Sequence, residues 1–204
     1  MSKAPALITV IVLMLLSSCG PKSVTSDRET LSQEARSWIP FSGQETLKYA
    51  SADDTLIFTG QGKNSWFEDV LYMTDQSSLI SLQTDYFAEL EREELTFEST
   101  QTQFSIHYKL SRHKGDTGDW EIIEVSMSDG IYYENRIKVV INETDNTNKG
   151  ELYKHRSSFS AGGVTYNDVY YLKQERRPYE LFYTPTDGVI AFKLSSNQLF
   201  YLTP

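Results

Sequence analysis

The residue pattern predicts an all-β protein. The expected form is an antiparallel meander whose twisted sheet rolls into an open or closed β-barrel, with a two-sheet β-sandwich as the second possibility. Three observations predict it. Apolar and polar residues alternate over several short runs, the two-residue period of a strand with one buried face. Aromatics make up 13% of the 204 residues, with 13 Tyr and 10 Phe, an enrichment that suits a pleated, half-buried surface. Short Gly- and Asp-rich turns join the runs and leave no room for a crossover helix in each unit, which argues against a parallel sheet.

Composition sets further bounds. At 39% hydrophobic residues, the chain can bury one real core. Lys and Arg total 19 against 28 Asp and Glu, a net charge of -9. That balance argues against a nucleic-acid partner, since phosphate binding needs a basic face.

The first 18 residues read as a secretory signal. Lys3 gives the positive start, and residues 6–16 (ALITVIVLMLL) form the apolar run. As a helix that run would rise about 16 Å, roughly half of the ~30 Å hydrocarbon core of a bilayer. It is therefore an h-region rather than a transmembrane anchor. Leu16-Ser17-Ser18-Cys19, followed by Gly20, resembles the lipobox of bacterial lipoproteins. The resemblance implies cleavage before Cys19, a diacylglyceryl group on its thiol and, as a rule, acylation of the new amino terminus. Two such chains hold a protein on a membrane. Cys19 is the single cysteine, so a mature chain lipidated there has no disulfide, no thiolate metal site and no cysteine nucleophile. Gly20 stands where an Asp would favour inner-membrane retention, and by the same resemblance the outer membrane is expected. Which face of that membrane, periplasmic or surface, is left open.

The expected organisation is a signal peptide over residues 1–18, a lipidated cysteine and tether over 19–37, and a single β-rich domain over 38–204. Residues 20–30 are small and polar, as a tether is. Ser26 and Glu29 fit a capping box, and Leu31, Ala35 and Trp38 recur at helical spacing, so a short helix over about 27–37 is possible before Pro40. Strand candidates follow at 55–59, 66–73, 104–110, 120–127, 137–141, 164–172, 179–183, 189–194 and 199–202. Phe104, Ile106, Tyr108 and Leu110 give the cleanest alternation. Residues 84–95 (TDYFAELEREEL) stay divided between strand, by alternation, and helix, by propensity. Turns are expected at Gly60-Gln61-Gly62, Asp129-Gly130, Gly162-Gly163 and Asp187-Gly188, among others.

A second resemblance rests on the two ends of the chain. Trp38-Ile39-Pro40-Phe41 leads into Glu45-Thr46-Leu47-Lys48-Tyr49. Near the other end stand Val164-Thr165-Tyr166-Asn167-Asp168-Val169-Tyr170-Tyr171, Leu181-Phe182-Tyr183, Asp187-Gly188-Val189-Ile190-Ala191-Phe192 and Leu199-Phe200-Tyr201-Leu202. This order is similar to that of small, uncharacterised lipoproteins of Bacteroidota-type bacteria. It implies a β-rich extracytoplasmic domain and brings no catalytic residues with it.

Asp116-Thr117-Gly118 is the tripeptide of aspartic proteases, but it sits in a charged turn. His107, His113 and His155 lack metal-ligand spacing, and no G-x-S-x-G marks a nucleophile. Asn142, Glu143, Asp145, Asn146 and Asn148 offer oxygens without the EF-hand pattern. Glu89, Glu91, Glu93 and Glu94 read as a solvated acidic face. Trp66, Trp120, Tyr132, Tyr133, Tyr170 and Tyr171 read as core or rim, or else as the lining of a cavity or a sugar platform. No cofactor or metal is implied. The expectation is a non-catalytic membrane-anchored envelope lipoprotein with a structural or interaction role. A lipid, acyl-chain or glycan binding module is the first alternative, and an enzyme without a recognisable motif the second.

Overall fold

The structure, a computed structural model, describes residues 22–26, 28–77, 82–115, 118–130, 134–143, 150–175, 180–195 and 198–203. Cys19 and the leader lie outside the described residues. So do Asp116, Thr117, Tyr132, Tyr133, and Asp145, Asn146 and Asn148 of the oxygen-rich loop.

The described chain is all-β around one short helix, as expected. Strands β1 (Lys22–Thr25), β2 (Thr46–Ala50), β3 (Thr55–Ser77), β4 (Leu82–Ser99), β5 (Ser105–Gly115), β6 (Gly118–Ser128) and β7 (Glu134–Glu143) make the first part. β8 (Lys154–Ala161), β9 (Val164–Lys173), β10 (Glu180–Thr184), β11 (Gly188–Ser195) and β12 (Gln198–Leu202) make the second. Helix α1 is Gln33–Ser37. One antiparallel sheet runs β7-β6-β5-β4-β3-β2-β12-β11-β10-β9-β8, with β1 added parallel to β4. It is a curled half-barrel, the open form of the expected barrel. The sandwich is ruled out, because a single continuous ladder takes in every strand.

The period of two puts the core on the concave face. Ile106, Tyr108 and Leu110 of β5, Ile123, Val125 and Met127 of β6, and Leu95 and Phe97 of β4 are buried there with Tyr49, Phe58, Tyr183, Phe192 and Phe200. Their rings meet mostly tilted or edge to face, as at Tyr49–Phe58 (5.5 Å, 85°) and Phe41–Phe97 (5.3 Å, 70°), the arrangement that ring quadrupoles favour. Buried hydroxyls find partners. Tyr49 donates to the Val189 carbonyl at 2.8 Å, Val189 N–H donates to Tyr108 at 2.9 Å, and Tyr183 donates to the Trp38 carbonyl. A smaller core of Val169, Phe182, Ile190 and Ala191 lies on the convex side, together with Ala161 and Tyr166. There the β8–β9 hairpin folds back, and its Gly162 comes so close to Tyr201 that a Cβ would sit 2.3 Å from the ring.

One open alternative is decided and several expectations are corrected. Residues 84–95 are strand, held by β3 on one side and, from Arg92 on, by β5 on the other; cross-strand pairing overrides helix propensity. Gly60-Gln61-Gly62 is not a turn between strands at 55–59 and 66–73. It is a bulge inside the single strand β3, where the register slips between Gly60 and Lys63 and Gly62 takes φ +99°. The helix begins at Gln33, because Ser32 and not Ser26 caps it, its side chain accepting from Ala35 N–H at 3.0 Å. The described part of the expected tether follows the sheet: residues 22–25 pair with 84–87, and Leu31 and Ala35 enter the main core. The edge strand β8 is absent from the alternation pattern, since Lys154, His155 and Arg156 make its first half polar and only Phe159 and Ala161 reach the convex core.

Candidate functional site

At one end of the half-barrel the concave face turns from apolar to charged. β4 continues the row of Leu95 and Phe97 as Glu93 and Glu91. β5 continues the row of Leu110 as Arg112 and Lys114, and β6 continues that of Ile123 as Glu121. A strand's period of two obliges these side chains to point the same way as the core residues before them. Glu91, Glu93 and Glu121 are only 8%, 2% and 2% exposed, so Glu91 and Glu93 are not part of the solvated acidic face expected for them. Charges this buried need partners.

The partners come largely from residues 28–37, which cross this end of the barrel. Glu91 Oε2 accepts Leu31 N–H at 2.9 Å, and both its oxygens lie 2.7 Å from Arg36 Nη2. Lys63 Nζ is 2.6 Å from Glu93 Oε1, and Arg36 Nε is 3.5 Å from the other oxygen. Glu121 accepts Ser32 N–H at 2.6 Å, the Ser32 hydroxyl, and Asn142 Nδ2 at 2.7 Å. Arg112 serves the other sign. It donates to Glu29 Oε2 at 3.0 Å, to the Thr30 carbonyl at 3.3 Å and to Asp119 at 3.2 Å. Lys114 completes the pairing of Glu29. Burial alone would raise the Glu29 pKa, but hydrogen bonds from Lys114 and Arg112 outweigh it and hold the carboxyl below its ordinary value. Burial would likewise lower that of Arg112, yet Glu29, Asp119 and Glu121 raise it.

Chemically the cluster is a clamp for backbone N–H and C=O groups. Two carboxylates take the backbone N–H groups of Leu31 and Ser32, and a guanidinium takes the carbonyl of Thr30. Hydrogen bonds to charged groups contribute roughly 1.5–3 kcal/mol each. The occupant is the chain's own N-terminal segment, just ahead of helix α1.

The other candidate residues are scattered. Ser105 Oγ lies 2.7 Å from His107 Nε2, and Thr96 Oγ1 lies 3.1 Å from Nδ1. This contact is a rung of hydroxyls across β4, β5 and β6, extended to Ser128 at 3.0 Å, on the polar phase of the sheet. Ser105 and His107 are neighbours on one strand face, a two-residue spacing along a paired ladder rather than a nucleophile raised above a cleft. His113 stacks on Trp120 (5.6 Å, 5°); burial first, and the charge of Arg92 after it, push its pKa down to about 4. His155 is 3.7 Å from Asp168 on the far edge of the sheet. Among the described residues, no three His, Cys, Asp or Glu side chains gather as metal ligands would. Tyr170 packs inward on Trp38 and Tyr183, whereas Tyr171 lies outside between Phe182 and Arg156, so the tyrosine pair divides between the two faces. An open depression of about 380 Å³ borders β9, lined by residues 164–168 and 185–187. Its Asp187 is already engaged by the hydroxyls of Thr184 and Thr186.

One signal in the sequence could have revealed the clamp: Glu91 and Glu93 are in phase with Leu95 and Phe97, as Glu121 is with Ile123 and Val125. No protein-family model matches the chain, and no curated protein or solved structure is detectably similar to it.

Proposed function

We propose that the chain is a membrane-anchored envelope lipoprotein. Lipid on Cys19 holds it to the outer membrane, and its half-barrel serves a structural or interaction role rather than a catalytic one. The observation that carries the reading is the run Leu16-Ser17-Ser18-Cys19-Gly20 directly behind an apolar segment of h-region length. Two features support it. The residues that follow Cys19 are paired with β4 from Lys22 onward and held on the half-barrel from Glu29, so a lipid there would be joined to the fold by a short link instead of a long leash. The concave face is occupied by side chains of its own aromatics, which favours an interaction role over the carriage of an acyl chain.

Cys19→Ala tests the proposal. The native protein should fractionate with membranes at high salt, and its mass should show loss of residues 1–18 and gain of acyl groups. The variant should lose both properties. An unmodified cysteine, or a variant that stays with the membrane, overturns the reading.

A further inference from the structure

Beyond Arg92 and its partner Trp66, β4 and β3 run on without β5 beside them. β5 pairs with β4 only from Arg92, and β2 pairs with β3 only up to Thr59. Residues 67–77 and 82–91 therefore run on as an arm, roughly ten residue pairs or about 33 Å long, with β1 as its third strand and its base at 88–91 covered by residues 29–31. Four large apolar side chains are exposed on it: Val24 (45%), Phe67 (37%), Leu71 (50%) and Met73 (37%).

Residues paired across strands share a face, which sorts the arm into two sides. Val24, Tyr86 and Met73 form one row across all three strands, with Lys22, Thr84 and Asp75 in the next row of that side. The opposite side carries Leu71 and Phe87, but also Asp69, Asp85 and Glu89, and Arg28 covers the ring of Phe67 there. The first side thus carries an aliphatic and aromatic row flanked by one lysine and one aspartate, whereas Asp69, Asp85 and Glu89 make the second more acidic.

The position of Lys22 on the arm decides what meets the first side. Lys22 pairs with Thr84, and Cys19 stands three residues earlier. Three residues span at most about 10 Å. Acyl chains on Cys19 would place a bilayer within that reach of the row.

We infer that the side of the arm bearing Val24, Tyr86 and Met73 lies on the lipid surface, so that the anchor and the arm together orient the half-barrel on the membrane. The inference rests on lipidation of Cys19. Tyr at the row's centre suits the headgroup level, where amphipathic rings collect, and Lys22 suits an anionic leaflet.

The lipidated protein, reconstituted in vesicles of phosphatidylethanolamine and phosphatidylglycerol, tests this. Acylation occupies its one native thiol, so Met73→Cys, Leu71→Cys and Val164→Cys can each carry a polarity-sensitive fluorophore alone. The label at 73 should shift to the blue. Lipids bearing a nitroxide should quench it severalfold more strongly than they quench the labels at 71 and 164, and aqueous iodide should show the reverse order. Equal lipid quenching at 71 and 73, or iodide access at 73 like that at 164, overturns the inference while the anchor stands, as mass measurement of the same sample shows. Shielding of 73 from both quenchers also overturns it, because a second copy of the chain then covers the face. A mass without acyl groups removes the anchor reading itself, and this inference with it.

Discussion

His113 is placed so that its protonation opposes folding. Burial against Trp120, with Arg92 nearby, lowers its pKa from 6.5 to about 4. The unfolded chain therefore binds that proton first. The contribution of a neutral His113 is complete above pH 6.5 and is lost as pH falls toward 4. Glu29 and Glu68, held below 4.5 by basic partners, add their loss only below that value. Two windows thus follow one another as the medium is acidified. His113→Phe keeps a ring on Trp120 and removes the titration. Its melting temperature should stay level between pH 6.5 and 4.5, where that of the native protein declines, and then fall in both. A decline of the same size in the variant across the upper window would show that another group is responsible.

The N-terminal segment is an element that its own propensity cannot hold. Helix α1 has five residues, far fewer than an isolated helix needs, and its position rests on Glu91, Arg112 and Glu121. Glu121→Ala should strand the Ser32 N–H and one face of Arg112. Removing one partner of a buried pair costs about 3–5 kcal/mol; with Arg112 part-exposed, the expected loss is near the lower limit. Urea denaturation should show it, and trypsin should cut at Arg28 and Arg36 much faster than in the native fold. Glu121→Gln, which keeps an acceptor for Ser32, should lose less. Unchanged cleavage in the alanine variant would mean that the segment is held by Leu31 and Ala35 in the core alone. What could be read beforehand follows the same division. The alternation of Ile106, Tyr108 and Leu110 is local, and it was legible because one strand's pattern suffices to reveal its buried face. The clamp was not, since Glu91 and Glu121 lie 60 and 89 residues from the N–H groups they accept. Between 84 and 95 alternation and propensity disagreed, and the pairing of β4 with β3 decided in favour of strand. Gly60 and Gly62 signalled a break in regular pairing, and a bulge meets that signal as well as a turn does.

The whole molecule is one sheet joined at its middle by a narrow seam. β12 and β2 are paired only through Tyr201 with Ala50 and Leu202 with Tyr49, extended by Thr203 N–H to the Lys48 carbonyl. Side chains cross that seam far more than backbone does. Phe192 of β11 lies against Tyr49 at 5.0 Å and Phe58 at 6.0 Å, and Tyr108 of β5 binds Val189 and neighbours Tyr183 at 6.4 Å. The two halves of the sheet therefore share one concave core, and neither half buries its aromatics without the other. The arm is different: its exposed residues meet few partners, and regions poor in buried contacts open at lower free energy than the core. Hydrogen exchange under native conditions should separate these levels. Amides of β5, β6, β10 and β11 should open together, at the free energy of global unfolding, whichever side of the seam they occupy. Amides at positions 68–75 of the arm should exchange sooner by a partial opening that leaves the barrel intact. Distinct opening energies for β5 and β11 would mean that the seam, and not the shared core, sets the cooperative unit.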